Sequence, residues 1–339
     1  MEITKFTISR NDAFMEGWPD LIKLKSGRLI VAYNECTSHT DRHNTHITIR
    51  TSDDNGTSWS DKIYVGEETH HGNQYNSIRI NQMSDEKIIL VCDRINGSET
   101  SDGCLLHMFE SLDDGTTWSD ATITNIEGYC SDKVREMSDG SYLICISKYN
   151  KKTGKSEIIA HKSYDNGRTW TKGVLAATSD KYTFIEPAVL TLNDGVLCVF
   201  LRENSQKGYN GFVVYSSDNG ETFGDISEIP IPGMHRPFVG YLSDGRIMLS
   251  YREFLKPLNT ENFKGTSANL KMLIFSEDML KKANFFETHL IDHDNAEFPD
   301  QGYSAWVQLD NNSIIMANYI VDDAPNAYIR GYMINLEGK

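Results

Sequence analysis

A short polar pattern, Ser-x-Asp-x-Gly-x-Thr-Trp, recurs along this 339-residue chain and limits its possible folds more than any other feature. The copies run Ser52–Trp59, Ser111–Trp118, Ser163–Trp170 and Ser216–Phe223, and a degenerate fifth keeps only Ser276 and Asp278. Their first serines are 52 to 60 residues apart. Recurrence at such an interval is typical of a structure that stacks one small unit several times around a shared core.

The residue types in this pattern serve folding rather than chemistry. The short aspartate accepts backbone N–H groups within its own turn, and the glycine adopts the left-handed φ that other residues disfavour. The tryptophan is expected to pack between neighbouring sheets. The pattern therefore predicts a fold and assigns no reaction.

Six tight polar turns between apolar runs form a second repeat. They are Lys25-Ser26-Gly27, Ser84-Asp85-Glu86, Ser138-Asp139-Gly140, Asn193-Asp194-Gly195, Ser243-Asp244-Gly245 and Asp310-Asn311-Asn312. Turns of this kind between alternating apolar runs indicate β-hairpins, because glycine tolerates the positive φ that the turn demands.

The two repeats together predict an all-β fold, a single six-bladed β-propeller of four-stranded antiparallel blades over residues 1–339. The last unit, Gly302 to Leu336, is one strand short, and Glu2 to Ser9 alternates like a strand before the first hairpin. We therefore expect the N-terminal strand to complete the sixth blade and close the ring, which leaves few free sheet edges.

Composition narrows the possible partners. A net charge of −15 argues against binding to nucleic-acid phosphates or to an anionic membrane surface. No apolar run approaches the ~20 residues of a membrane helix and no signal-peptide core is visible, so we expect a cytoplasmic protein. The six cysteines include no CxxC pair, which argues against a zinc site or a disulfide framework. We expect no metal and no cofactor, and the oligomeric state stays open.

Counting from the turns places polar residues at one end of all six hairpins. Nine positions before the third turn residue stand Trp18, Ser77, Ser131, Glu186, Arg236 and Tyr303. Seven positions after it stand Asn34, Asp93, Ser147, Arg202, Arg252 and Tyr319. In an antiparallel hairpin these places share one end, which in a propeller faces the central depression where ligands bind. The side chains are therefore expected to converge near the axis, unless they are ordinary strand ends that reach solvent.

The turn pattern, the six-fold count and these rim residues resemble the sialidase (neuraminidase) superfamily of Asp-box propellers over essentially the whole chain. The resemblance implies a tyrosine nucleophile paired with a glutamate, three arginines that bind a sugar carboxylate, and an aspartate acid/base. By position, Tyr303 matches the nucleophile and Glu186 matches its partner. Arg202 and Arg252 match the second and third arginines.

The chain departs from that superfamily in its arginines and in its proton donor. Trp18 stands where the first arginine is expected, and the glutamate that braces this arginine is replaced in the region of Asn318-Tyr319. Arg236 is a candidate replacement for the missing arginine. The proton donor is expected in the loop from Cys36 to His46, where Asp41 is the nearest carboxylate.

Other candidate residues have competing interpretations. Trp18 either offers a stacking face to a sugar ring or packs at the mouth of the depression. Asp20 either bonds to substrate hydroxyls or holds its loop, and Asp93 is a candidate substrate contact from its place at the rim. Three loop histidines either meet the substrate as acid, base or ligand contact, form a solvated loop, or bind a metal: His39, His43 and His46.

The implied chemistry follows from charge. A neutral tyrosine avoids repulsion from a substrate carboxylate until Glu186 takes its proton. Because free tyrosine has a pKa of about 10, such a base is required at neutral pH. Arginine holds a planar carboxylate through two parallel hydrogen bonds, which lysine cannot do.

These features favour an exo-acting glycosidase whose partner is an oligosaccharide or a single sugar with a terminal carboxylate-bearing residue. The alternatives are a polysaccharide lyase that acts on uronic acids through a Tyr/His pair, a non-catalytic glycan-binding propeller, and a protein-interaction propeller. A lyase would release an unsaturated product that absorbs in the ultraviolet, whereas a hydrolase would not.

Overall fold

The computed structural model describes residues 1–39, 41, 45–66, 73–96, 103–254, 269–285 and 287–336. Within them, the strands form six four-stranded antiparallel sheets, which are the blades of a propeller. The predicted fold class is therefore confirmed. No helix among the described residues has the length and apolarity needed to cross a membrane.

The N-terminal strand β1 (Glu2–Ser9) belongs to the last blade, and the other strands follow in chain order from the axis outward. Blades one to three are β2 (Met15–Lys23), β3 (Leu29–Cys36), β4 (His46–Ser52), β5 (Ile63–Val65); β6 (Asn73–Gln82), β7 (Ile88–Asn96), β8 (Leu105–Ser111), β9 (Thr122–Glu127); and β10 (Arg135–Glu136), β11 (Tyr142–Asn150), β12 (Lys155–Ser163), β13 (Val174–Ala177). Blades four to six are β14 (Phe184–Thr191), β15 (Leu197–Glu203), β16 (Asn210–Ser216), β17 (Ser227–Pro232); β18 (Met234–Tyr241), β19 (Ile247–Glu253), β20 (Asn269–Phe275), β21 (His289–His293); and β22 (Gly302–Gln308), β23 (Ser313–Ile320), β24 (Tyr328–Asn335), with β1 outermost.

The core lies between neighbouring blades. Strands β3, β15 and β19 are buried along their whole length, because each of these sheets is covered on both faces. One cluster joins Phe200 of blade four to Leu249 and Tyr251 of blade five. Burial of such apolar side chains is the main force that holds the blades together.

The first and last parts of the chain meet in blade six. Strand β1 pairs with β24 from Glu2 opposite Asn335 to Thr7 opposite Arg330. The Arg50 guanidinium of blade one then donates to the Ile8 carbonyl at 2.6 Å. The ring is thus joined by main-chain hydrogen bonds within a blade and by a side-chain bond between blades.

The repeated turn pattern has the geometry that its residue types suggest. In the third copy, Asp165 accepts the Thr169 N–H at 2.8 Å and its hydroxyl at 2.6 Å, which lowers the pKa of Asp165 to about 2. Gly167 has φ +86° and donates its N–H to Ser163. Trp170 is buried in a cluster with residues of the preceding blade. Each copy therefore locks its own turn and packs against a neighbouring blade.

The degenerate fifth copy folds differently. Ser276 caps a five-residue helix, α1 (Glu277–Lys281), and accepts the Met279 N–H at 3.2 Å. Leu280 stands at the place of the glycine and is buried. Without a glycine the left-handed turn is disfavoured, so this stretch forms a helical turn instead.

All six innermost segments contain one non-glycine residue with positive φ, near +50°. These residues are Trp18 (54°), Ser77 (51°), Cys130 (50°), Glu186 (53°), Arg236 (49°) and Tyr303 (58°). In five blades the register with the second strand shifts at this residue. Such backbone conformations cost about 1–3 kcal/mol each and gather at functional sites. The six left-handed residues mark the end of the axis where a site is to be sought.

Candidate active site

The centre of the site is a buried hydrogen-bonded chain of three side chains from blades four and six. The Tyr303 hydroxyl donates to Glu186 Oε1, and Arg202 Nη1 donates to Glu186 Oε2 at 2.7 Å. Tyr303 is 9% exposed, whereas Glu186 is 1% exposed. The residues predicted as nucleophile and base therefore lie in direct contact, although 117 positions separate them in the chain.

Two further arginines flank the tyrosine ring. The guanidinium carbons of Arg236 and Arg252 lie 5.0 and 5.6 Å from the Tyr303 ring centroid. Arg252 Nη1 donates to the Gln301 carbonyl at 3.1 Å. Three guanidiniums thus surround one phenol, as the rim alignment predicts.

These guanidiniums keep buried N–H groups without a hydrogen-bond acceptor among the described residues. They are Nε of Arg202, Nε and Nη1 of Arg236, and Nε of Arg252. Buried donors in native proteins are nearly always paired, and planar guanidinium groups match a carboxylate or a phosphate best. The arrangement is therefore suited to an anionic ligand.

The environment keeps Tyr303 neutral in the absence of ligand. Burial and the charge of Glu186 raise the pKa of Tyr303 well above its ordinary value, and Arg202 and Arg252 oppose this shift only in part. Burial lowers the pKa of Arg202, but the charges of Glu186 and Tyr303 and the hydrogen bond to Glu186 together outweigh burial and leave this pKa raised. The phenol therefore needs the neighbouring carboxylate in order to lose its proton during a reaction.

A second group of side chains lies beside the first, around Asp300. His39 Nδ1 lies 2.6 Å from Asp300 Oδ2, and the Tyr319 hydroxyl donates to Asp300 Oδ1 at 2.8 Å. The Trp18 indole contacts both the His39 ring, at 5.1 Å between centroids, and the Tyr319 ring, at 5.9 Å. The Tyr319 ring in turn lies 6.1 Å from that of Tyr303. A continuous layer of rings therefore connects His39 to the predicted nucleophile.

Trp18 is 3% exposed and packs within this layer. This placement favours packing at the mouth over an open stacking face for a sugar. Asn318 and Tyr319, in the region where the superfamily's bracing glutamate is missing, instead hold the segment before Tyr303. Asn318 donates to the Gln301 side chain at 3.2 Å, and Tyr319 donates to Asp300.

Two rim residues seven positions after the turns support the left-handed residue of the next blade. Asp93 Oδ1 accepts the Cys130 N–H at 2.9 Å, and Ser147 accepts the Glu186 N–H at 2.9 Å. Asp93 is fully buried. The structure therefore places its carboxylate against the backbone of blade three, which indicates a role in positioning Cys130 rather than in contacting a sugar.

Cys130, and not Ser131, takes the left-handed position of blade three. Its thiol has a raised pKa, mainly through burial and then through the charges of Asp93 and Glu186. Counting back from the turn missed this residue by one, because the innermost strand β10 has only two residues and an irregular segment precedes it.

Asp20 is held by contacts with two neighbouring blades. It is fully buried, its Oδ1 lies 3.0 Å from Lys133 Nζ, and its Oδ2 accepts the Ile80 N–H at 2.9 Å. Of the two interpretations of Asp20, the structure supports the one in which it holds the backbone, since both carboxylate oxygens face neighbouring blades.

Two residues of the first loop are not brought to Tyr303 by any described contact. The His46 ring packs on Tyr64 of the outermost strand, 5.4 Å between centroids. Asp41 is exposed, and its backbone N–H and carbonyl both bond to Ser38. His43, the third loop histidine, lies outside the described residues.

Asp300 is the main residue of the site that the sequence did not predict. It lies three positions before Tyr303, outside the two periodic positions that identified the rim residues. Burial raises its pKa, but the bond from His39 and the charges of His39 and Arg252 outweigh burial and leave the pKa below its ordinary value. Asp300 is therefore ionised and accepts on both oxygens.

The fold defines the class: a six-bladed propeller whose architecture is shared by solved structures that include sialidases. A protein of unknown function from Dyadobacter fermentans superposes with a TM-score of 0.79 at 20% identity, over 98% of this chain and 99% of its own. The Hadza microbial sialidase Hz136 superposes with a TM-score of 0.76 at 16% identity, over 98% of this chain and 68% of its own. At these identities the likeness shows the fold alone.

Residues 27–316 match the BNR repeat-like domain family, and the chain belongs to this family. The sialidase of Paraclostridium sordellii is 26% identical over 191 residues, which are 47% of this chain and 47% of that protein. The chain thus spans about half the length of the curated relative it matches. The predicted membership of the sialidase-like BNR propellers is confirmed.

Proposed function

We propose that this protein is an exo-acting glycosidase that releases a terminal sugar bearing a carboxylate. The observation that carries the proposal is the buried hydrogen bond between Tyr303 and Glu186, surrounded by three arginines that keep unpaired N–H groups. Membership of a family with sialidase relatives supports a glycosidase. We assign the nucleophile pair and the acidic sugar on the contacts around Tyr303.

The arginines favour an anionic sugar on grounds of charge. Arg202, Arg236 and Arg252 carry three positive charges, and of these Arg202 forms an ion pair with Glu186 while Arg236 and Arg252 flank the Tyr303 ring. A substrate carboxylate would neutralise part of this excess through charge-assisted hydrogen bonds. Arg236, supplied by blade five, takes over the part of the arginine that is absent at Trp18.

The tyrosine is a suitable nucleophile for such a substrate. Its neutral hydroxyl approaches an anomeric carbon that carries a carboxylate without the repulsion that an aspartate would meet. As the oxygen of Tyr303 bonds to that carbon, its proton passes to Glu186, and the bond to the leaving oxygen breaks while an acid of the site protonates that oxygen. Water then attacks the same carbon and gives a proton to the conjugate base of that acid, and Tyr303 leaves as phenolate and regains its proton from Glu186.

The test uses aryl glycosides of sialic, ketodeoxy and uronic acids with the wild type and with Tyr303→Phe. We expect turnover of at least one substrate by the wild type and a loss on the order of 10³-fold or more in kcat for the variant. Binding of the free acidic sugar, followed by calorimetric titration, should stay within a few-fold, because the arginines remain in place.

Tyr251→Phe is the matched control, because Tyr251 is a buried tyrosine of the interblade core in blade five. It should turn over the substrate like the wild type. Binding without turnover of any substrate would identify a glycan-binding propeller and refute the enzyme. An ultraviolet-absorbing product from a uronate polymer would identify a lyase, and an unchanged kcat in Tyr303→Phe would refute the nucleophile.

A further inference from the structure

We infer that His39, oriented by Asp300, donates the proton to the leaving group, and that the cavity beside His39 receives that group. The inference rests on the proposed function, since it assigns the proton donor of the same reaction. A glycosidic oxygen leaves slowly as an alkoxide, so a positioned acid is needed, and such an acid contributes typically 10²–10⁴-fold.

The geometry around His39 is that of an oriented acid/base. Asp300 is ionised and acceptor-only, so His39 Nδ1 carries a hydrogen and donates it over 2.6 Å. This bond fixes the tautomer and leaves Nε2 as the atom that exchanges a proton with substrate. The Trp18 indole contacts the ring edge-on and limits its rotation.

Asp300 is itself held by a rigid segment. The Asp294 carboxylate, 1% exposed, accepts four backbone N–H groups, those of Ala296, Asp300, Val321 and Asp322, at 2.8 to 3.3 Å. It thereby joins the segment before blade six to the loop after β23. Asp294 therefore holds the segment that carries Asp300, and so fixes the position of the carboxylate that orients His39.

His39 also faces a space for a leaving group. A cavity of about 430 Å³ lies between blades one and six, and its lining includes His39, Asp300, Met15, Phe298 and Pro325. Its volume falls within the range of small-molecule sites. The Phe298 side chain is 65% exposed, which offers an apolar face to a sugar ring. His39 thus lines the cavity and is connected to the tyrosine nucleophile through the Trp18 and Tyr319 rings.

In the first half, protonated His39 gives its Nε2 proton to the glycosidic oxygen, which takes the electron pair of the breaking carbon–oxygen bond. His39 becomes neutral and the leaving group departs as an alcohol. In the second half, neutral His39 takes a proton from the water that attacks the anomeric carbon, and the Asp300 carboxylate stabilises the imidazolium that forms.

The experiment compares two glycosides of the same acidic sugar, one with an acidic nitrophenol as leaving group and one with a simple alcohol. His39→Asn, whose amide can still bond to Asp300, should lose about 10²-fold or more in kcat/KM on the alcohol glycoside. It should stay within about tenfold on the nitrophenyl glycoside, which needs little protonation. The alkaline limb of the pH profile should disappear in this variant.

Asp300→Asn tests orientation. It should show the same dependence on the leaving group at smaller amplitude, with the alkaline limb moved to lower pH, because the imidazolium loses its partner. If Asp300 had a purely structural role, the variant would lose kcat/KM equally on both glycosides. His293→Asn, a histidine of the outermost strand β21, is the control and should match the wild type on both substrates.

Asp41→Asn tests the alternative proton donor. A loss confined to the alcohol glycoside in this variant, or an equal loss on both glycosides in His39→Asn, would overturn the assignment while leaving the proposed function intact. If the wild type turns over neither glycoside, both the proposed function and the assignment of His39 as proton donor are refuted. Melting temperatures of all variants within a few degrees of the wild type confirm that each is folded.

Discussion

Replacing Asp20 with asparagine is expected to lower the free energy of unfolding by about 3–5 kcal/mol. The Asp20 carboxylate belongs to blade one, accepts the Ile80 N–H of blade two, and pairs with Lys133 from the segment that leads into blade three. Both partners are buried, with Asp20 fully so and Lys133 5% exposed. One carboxylate therefore joins three blades around the axis.

The expected loss in the free energy of unfolding arises mainly because Lys133 stays buried without its counter-charge. Asparagine retains one oxygen for the Ile80 N–H, so most of that bond survives. Lys133 loses its counter-charge, and burial, which already lowers its pKa, is no longer opposed by Asp20. An unpaired buried charge is the costly element, whereas a neutral pair of similar volume is tolerated. The double variant Asp20→Asn/Lys133→Met should therefore recover about 2 kcal/mol or more of the loss.

Urea unfolding followed by tryptophan fluorescence measures the effect, with unchanged m values required for the comparison. Asp132→Asn is the matched control, because Asp132 accepts the Val189 N–H of the next blade at 2.8 Å but pairs with the partly exposed Arg135. It should cost only about 1–2 kcal/mol. A loss below about 1 kcal/mol in Asp20→Asn, or no recovery in the double variant, would refute the reasoning.

Two further predictions concern pH and the arginine geometry. Burial, and then the charge of Arg94, lowers the pKa of His107 to about 4. As the pH falls, the histidine of the unfolded chain is protonated at a higher pH than that of the folded chain. The free energy of unfolding therefore falls as the pH drops from about 6.5 to 4. His107→Gln should remove about 3 kcal/mol of that fall, measured by urea unfolding at pH 7 and pH 4, and a pH-independent difference from wild type would contradict it. Gly302 has φ +136°, and a Cβ there would lie 2.9 Å from Arg252 Cδ, so Gly302→Ala should displace Arg252 and weaken binding of an acidic sugar. Calorimetric titration would detect this as a rise in Kd, and an unchanged Kd would mean that Arg252 does not contact the ligand.

The fold was predictable because its determinants are local and repeated. Each turn needs a glycine or a small polar residue at a defined place, and the six hairpins therefore mark the six blades in the sequence. The degenerate copy at Ser276 lacks the glycine, and the chain forms a helical turn there. The prediction missed Cys130, because counting from a turn assumes that all innermost strands have equal length, and β10 has two residues.

The site was predictable only where it follows the same period. Glu186, Arg202, Arg252 and Tyr303 occupy equivalent places in their blades, so their convergence needed no knowledge of loop structure. Asp300 lies in a loop whose course depends on the Asp294 carboxylate and its four N–H donors, and no local pattern encodes that arrangement. The part of the site held by loops therefore had to be observed.

The six left-handed residues explain how such a site changes its chemistry without changing its fold. The backbone bends in the same way whether the residue is tryptophan, serine, cysteine, glutamate, arginine or tyrosine, so the conformation does not depend on the side chain. Its strain, about 1–3 kcal/mol per residue, is borne by bonds from neighbouring blades, as when Ser147 accepts the Glu186 N–H. An arginine can therefore be absent at Trp18 and present at Arg236 while the Tyr303–Glu186 bond stays in place. Under the proposed function, the residue type at each of these six positions determines which ligand is bound near the axis, whereas the blades determine only the position of each side chain.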